Sequence, residues 1–178
     1  MKGPVRPSLP FRAVNQPGLP GYNPGLQRHH VLPRQLATTP ALAAMMDSLG
    51  VDVGIDDFRR NGLLLPATDS EAERMALPLH RGPHREYSDL VLERVGQVER
   101  RWARARRRNP ELATREALMR MDCIQRALRR RLLDPARWEG PALHRNDPTR
   151  ARRERALDYA DLDAMAVLLW QETAVAAE

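Results

Sequence analysis

Apolar positions along the chain change their period several times, and each change marks an element. Tyr87, Leu90, Val91, Leu92, Val95, Val98 and Trp102 recur at spacings of three and four, which is the repeat of a single apolar face on an α-helix. Gly82-Pro83 opens that helix, and the pattern carries it to about Arg108. Asn109-Pro110 then reads as a cap followed by a first-turn proline. Leu112, Leu118, Met121, Ile124, Leu128 and Leu132 form the next apolar stripe, which stops before Pro135. Asp147-Pro148 begins a last helix with Leu157, Leu162, Met165, Leu169 and Trp170 along one face. Nearer the start, the helix formers ALAAMMDSL lie between Pro40 and Gly50, and single helical turns are expected at 56–60 and 70–75.

Two runs have strand length instead. QRHHVLPRQL (27–36) is apolar and β-branched around Val31 and Leu32 and is closed by Pro33, while GLLLP follows the Asn61-Gly62 turn signal and is closed by Pro66. Paired, they make a small antiparallel hairpin, with His29 and His30 at the start of its first strand and Asn61 close to both. Residues 1–25 hold six prolines and four glycines and read as an extended linker or arm. The expected class is α+β and mostly helical, divided into the arm (1–25), a core around the hairpin (26–108) and a helical extension (109–178).

Composition narrows the chemistry. The 178 residues, 42% apolar and 29% charged, suit one domain. No apolar run approaches a membrane span, and prolines occupy the N-terminal stretch where a signal peptide would be apolar, so the expectation is a cytoplasmic protein in its producer with no membrane partner. A lone cysteine, Cys123, excludes a disulfide framework and a cysteine zinc cluster; beside Ile124 it is expected in the core. Any metal site must come from histidine and carboxylate. The net charge of +6 is concentrated in residues 81–133, with 15 basic and 7 acidic side chains, and all but one of the chain's basic residues are arginines. Arginine's planar fork suits phosphate, which makes nucleic acid the first partner to consider.

Four of the five histidines form two pairs, His29-His30 and His80-xxx-His84, with Asn61 between them. Neighbours on a strand face opposite ways, so one of His29 and His30 can face an ion while the other faces the attacking water. Hydrolysing a phosphodiester requires a base, a cation and a fixed geometry. In this constellation His30 takes the proton, His29, His80 and His84 hold one divalent ion, and Asn61 braces the hairpin. Arg28, Arg81 and Arg85 flank these positions and are candidates for phosphate contact. His144, in a polar loop, is expected to be solvent-exposed and structural, and Trp102 to be buried.

HHVLP, NGLLLP and HRGPHREY, in that order, resemble the His-Asn-His ββα-metal (His-Me finger) nucleases of the HNH/endonuclease VII superfamily, most closely the toxin branch named for an Ala-His-His signature. The likeness covers roughly residues 22–100. It implies a small ββα-metal core and a metal-dependent endonuclease with DNase activity. His30 would be the general base, His29, His80 and His84 metal ligands, Asn61 the bracing asparagine and Tyr87 a packing or orienting residue. The cofactor implied is one divalent ion (zinc, magnesium or a nickel-like metal). An antibacterial toxin delivered by a specialised secretion system and restrained by an immunity protein is the implied context. Arg28 departs from the pattern, standing where the signature has a small residue. The alternative is a non-enzymatic basic protein that binds nucleic acid and uses the same histidines for a structural zinc.

Overall fold

Side-chain caps set where most of the helices begin. Asp57 Oδ1 accepts from the Arg59 N–H, Thr68 Oγ1 from Glu71 and Asn109 Oδ1 from Leu112, each satisfying an amide the first turn would leave unpaired. The structure is a computed structural model that describes residues 7–134 and 140–149. Its order is β1 (Leu26–His30), α1 (Pro40–Leu49), α2 (Phe58–Asn61), β2 (Gly62–Pro66), α3 (Asp69–Met75), α4 (Arg85–Ala105) and α5 (Pro110–Leu133), with short 3-10 turns at Phe11–Ala13, Arg34–Ala37 and Gly50–Val53. The fold is α+β and mostly helical, as the periodicity predicts.

The two strands pair antiparallel, with Leu26 opposite Pro66 and His30 opposite Gly62. Three details correct the sequence reading. First, β1 ends at His30 instead of running on through its apolar residues, so the histidines close the strand; Val31 and Leu32, fully buried, leave the ladder and enter the core. Second, Asn61-Gly62 is not a two-residue turn. Asn61 closes α2, Gly62 starts β2, and residues 31–61 connect the strands. Third, α4 stops at Ala105, and residues 106–108 form a turn.

The core gathers Val31, Leu36, Met45, Leu65, Tyr87, Val95 and Met121, with α4 packed on α5 and α1 and its Tyr87 ring against His29 of β1. The α5 stripe is rotated from its expected setting. Ala113, Ala117, Met121, Gln125 and Leu132 are buried, spaced mainly by four, while Leu112 is exposed. Small alanines allow α5 to approach α4 closely where larger side chains would hold it off. Cys123, two residues past Met121, therefore falls on the opposite face and is exposed, which corrects its expected burial. Trp102 is buried as expected, with the Arg106 guanidinium 4.5 Å over its ring. The last helix expected from Asp147 lies, beyond Thr149, outside the described residues.

Candidate metal centre and its flanking histidine

Three elements deliver three imidazoles to one point. His29 is the buried residue of β1. His80 follows β2 and α3, and its backbone N–H donates to Pro66 O at 2.7 Å, which pins the loop to the end of the sheet. His84 stands immediately before α4. Gly82 has φ +76°, a left-handed conformation that lets the chain reverse between His80 and His84; Pro83 then starts the approach to the helix.

The ring centroids are 4.7 Å apart for His29 and His80, 4.9 Å for His29 and His84, and 5.1 Å for His80 and His84. One ligand nitrogen from each lies within 4.8 Å of the other two. Among the described residues, neither ring nitrogen of His29 has a hydrogen-bond partner, nor does Nδ1 of His80, although all three atoms are buried. Buried polar atoms are rarely left unpaired, and a trio of imidazole nitrogens facing one another is a donor set suited to a divalent transition ion. The residues present therefore fit a metal.

The electrostatics agree with ligation. Burial, then the neighbouring His80, His84 and His30, holds His29 well below its ordinary pKa. His80 is lowered to about 4 by burial and then by His84 and His30, and burial also lowers His84. All three are thus neutral near pH 7, the form that offers a lone pair to a metal. Ser88 Oγ, one turn into α4, meets His84 Nδ1 at 3.4 Å. Tyr87 packs its edge against both His29 and His84, and its hydroxyl donates to Val31 O at 2.7 Å, tying α4 to the exit of β1.

His30 lies next to this cluster in sequence but faces away from it, as alternation on a strand requires. It is half-buried, and its ring is stacked on Phe11, centroids 3.6 Å apart and planes within 5°. Burial lowers its pKa, Arg34 lowers it further, and Asp56 opposes both.

Asn61 is fully buried, and its side chain is spent on backbone. Oδ1 accepts from Leu32 N at 2.7 Å, and Nδ2 donates to Leu32 O at 3.0 Å and Ile55 O at 2.9 Å. Its own carbonyl accepts from Val31 N at 2.8 Å. The two residues after the histidines, Val31 and Leu32, are therefore held by three hydrogen bonds to one asparagine.

The three flanking arginines separate. Arg81 and Arg85 line a cleft of about 520 Å³ with His84, Leu143, His144 and Arg145; Arg81 also donates to Ala67 O and approaches Asp69 at 3.7 Å. Arg28 donates to Phe11 O and Val14 O. His144, expected to be exposed, is half-buried; its Nδ1 accepts from Asn146 N and its ring lines the cleft beside His84.

Sequence reasoning missed Phe11, Arg34, Asp56 and Ser88. Ser88 carried a signal, being four residues after His84 on a helix. The other three reach His30 through the path of the chain, which no local pattern reports.

Two antiparallel strands backed by a long helix, with His29 from β1, His80 from the loop after α3 and His84 at the start of α4 converging at their junction, form a ββα-type arrangement whose histidines could hold a metal ion. The particular family is a nuclease one: the chain belongs to the AHH family, a nuclease family of the HNH/ENDO VII superfamily with conserved AHH, which matches residues 11–128. That match begins at Phe11 and runs through most of α5, well beyond the motif residues themselves. Comparison with curated proteins and with solved structures gave no match. Among the described residues, no helix is long and apolar enough to cross a membrane.

Proposed function

We propose that this nuclease is a metal-dependent endonuclease that hydrolyses DNA phosphodiesters, with His30 as general base and His29, His80 and His84 as ligands of one divalent ion. The observation that carries the reading is the convergence of three neutral imidazoles, two of them buried, with both His29 nitrogens and His80 Nδ1 lacking other partners among the described residues, beside a fourth imidazole on the opposite face of the same strand. When bound, a divalent ion supplies Lewis-acid stabilisation of charge on the phosphate and the departing oxygen. His30, neutral near pH 7, accepts the proton of the attacking water. Asn61 and Tyr87 hold the backbone that carries it, through Val31 and Leu32. They act as positioning residues.

The strand's phosphates lie in the cleft that opens beside His84, where Arg81, Arg85 and Arg145 contribute positive charge and Glu86 opposes them. Arg28 is left out of the phosphate-contact set, because its fork is turned to the arm's carbonyls. The family resemblance supports an antibacterial toxin delivered to a competitor and paired with an immunity protein.

Purified protein is incubated with supercoiled plasmid and, separately, with RNA, with magnesium, zinc or nickel and with chelator. Plasmid nicking that requires metal and is lost in His30→Ala, with metal binding retained, is the expected result. Parental nicking by His30→Ala would remove the base assignment. Chelator that melts the helices by circular dichroism, with no cleavage under any metal, would favour the structural-zinc alternative. Growth arrest on cytoplasmic expression of the parental chain, absent for His30→Ala, tests the toxin reading.

A further inference from the structure

The proline-rich segment ahead of β1 is laid across the face of the strand that carries His30, and it is clamped at both ends. At one end Leu9 N donates to Asp57 Oδ1 at 3.1 Å, Phe58 N donates to Leu9 O at 2.7 Å, and Arg59 donates to Pro7 O at 2.8 Å. At the other, Asn15, in a left-handed conformation at φ +48°, donates to Asn23 O and Leu26 O and accepts from Asn23 N. Between the clamps Arg28, two residues before His30 and on the same strand face, donates to Phe11 O at 3.3 Å and Val14 O at 2.9 Å.

Phe11 is held from a third direction. Its ring meets Phe58 edge-on at 5.1 Å, and the Phe58 ring lies against Gly62 so closely that a Cβ there would sit 2.1 Å from Phe58 Cδ2. Gly62 is the ladder partner of His30. The contacts thus close a circuit from His30 across the ladder to Gly62, through Phe58 to Phe11, and back to the His30 ring. A flat ring 3.6 Å away leaves the imidazole free to slide in its plane but not to tilt out of it.

We propose that Phe11, held by Arg28, is a positioning residue for the general base, fixing the plane in which the His30 ring presents its nitrogen to water. Arg28, which departs from the small residue of the signature, is explained by this role: it holds the arm rather than the substrate. The proposal rests on the reading of His30 as the base. Misplacing a catalytic group by about an ångström costs on the order of a hundredfold in rate, so loss of the stack falls on kcat.

The test compares Phe11→Ala, Phe11→Leu, Phe11→Tyr and Arg28→Ala in the full chain, measuring plasmid cleavage, affinity for the metal alone by calorimetry, and the His30 ring-proton shifts by NMR. Phe11→Ala is expected to lose about tenfold to a hundredfold in kcat, with KM and metal affinity near parental. Phe11→Tyr, which keeps a flat face, restores the rate, and Phe11→Leu, which keeps only bulk, does not. Arg28→Ala gives a smaller loss that vanishes in the Phe11→Ala background. The upfield ring-current shift of His30 disappears in Phe11→Ala and Phe11→Leu. Unchanged or raised kcat in Phe11→Ala overturns the proposal, as does rescue by Leu or a His30 shift that does not depend on Phe11. If His30→Ala cleaves at the parental rate while the ring-current shift is present, the base assignment fails and the positioning role falls with it, but the stack stands.

Discussion

Replacing Asn61 by Ala tests how the site is held together. The substitution removes one acceptor and two donated hydrogen bonds from a fully buried side chain, and it strands Leu32 N, Leu32 O and Ile55 O. An orphaned buried backbone group costs about 1–3 kcal/mol, and because the three share one site their costs do not simply add; the expected loss is about 3–5 kcal/mol. Domains of this size are stable by roughly 5–15 kcal/mol, so the variant should fold but stand close to its threshold. With a urea m-value of about 2 kcal/mol/M, the unfolding midpoint should fall by about 2 M while m stays constant. Urea titration followed by circular dichroism measures this directly, and Asn109→Ala, the loss of one exposed cap worth about 1 kcal/mol, serves as the comparison. A midpoint shift for Asn61→Ala no larger than that of Asn109→Ala would show that water replaces these hydrogen bonds, and the bracing role would be refuted.

Two further outcomes follow from the same coordinates. In the metal-free protein, stability should fall on acidification, because the unfolded chain takes up a proton on His80 near pH 6.5 whereas the folded chain resists until about pH 4. The contribution is complete above about pH 6.5 and is lost as pH drops from there toward 4. For His80 alone it amounts to about 3 kcal/mol, with His29 acting in the same direction; denaturation midpoints that stay flat between pH 7.5 and 4.5 would contradict it. Arg129, on α5, donates to Arg59 O, Arg60 O and Gly62 O, so Arg129→Met should destabilise by about 2 kcal/mol and raise amide exchange at Gly62 more than at Leu118, and equal exchange at both would refute the link.

Much of the site was readable in the chain. His29, His80 and His84 do converge: alternation on the strand carries the direction of His29, whereas His80 and His84 are brought together by the non-helical loop that reverses at Gly82. Asn61 reads in the sequence both as part of a turn signal and as a brace; the structure has it end α2 instead of forming a two-residue turn, with its buried side chain bonded to Leu32 and Ile55. The end of β1 was misplaced because Val31 and Leu32 have the composition of a strand, yet their burial comes from the core beneath it. Cys123 and Leu112 were assigned to the inner face of α5 from their apolar neighbours; the helix instead turns its alanines inward to meet α4, a preference set by the distance between two helices.

What the sequence determined by itself was the kind and order of the elements, the mostly helical class, and the four imidazoles and one asparagine available for chemistry. These depend on propensities and periodicities that act over a few residues. Only the tertiary structure decided that Phe11 lies on His30, that Arg28 turns to the arm, that His144 faces the cleft beside His84, and that Arg129 reaches the carbonyls around Asn61. Those contacts join residues far apart along the chain or rest on its long-range path. Their partners are selected by the shape of the packed core, for which neighbouring residues carry no signal.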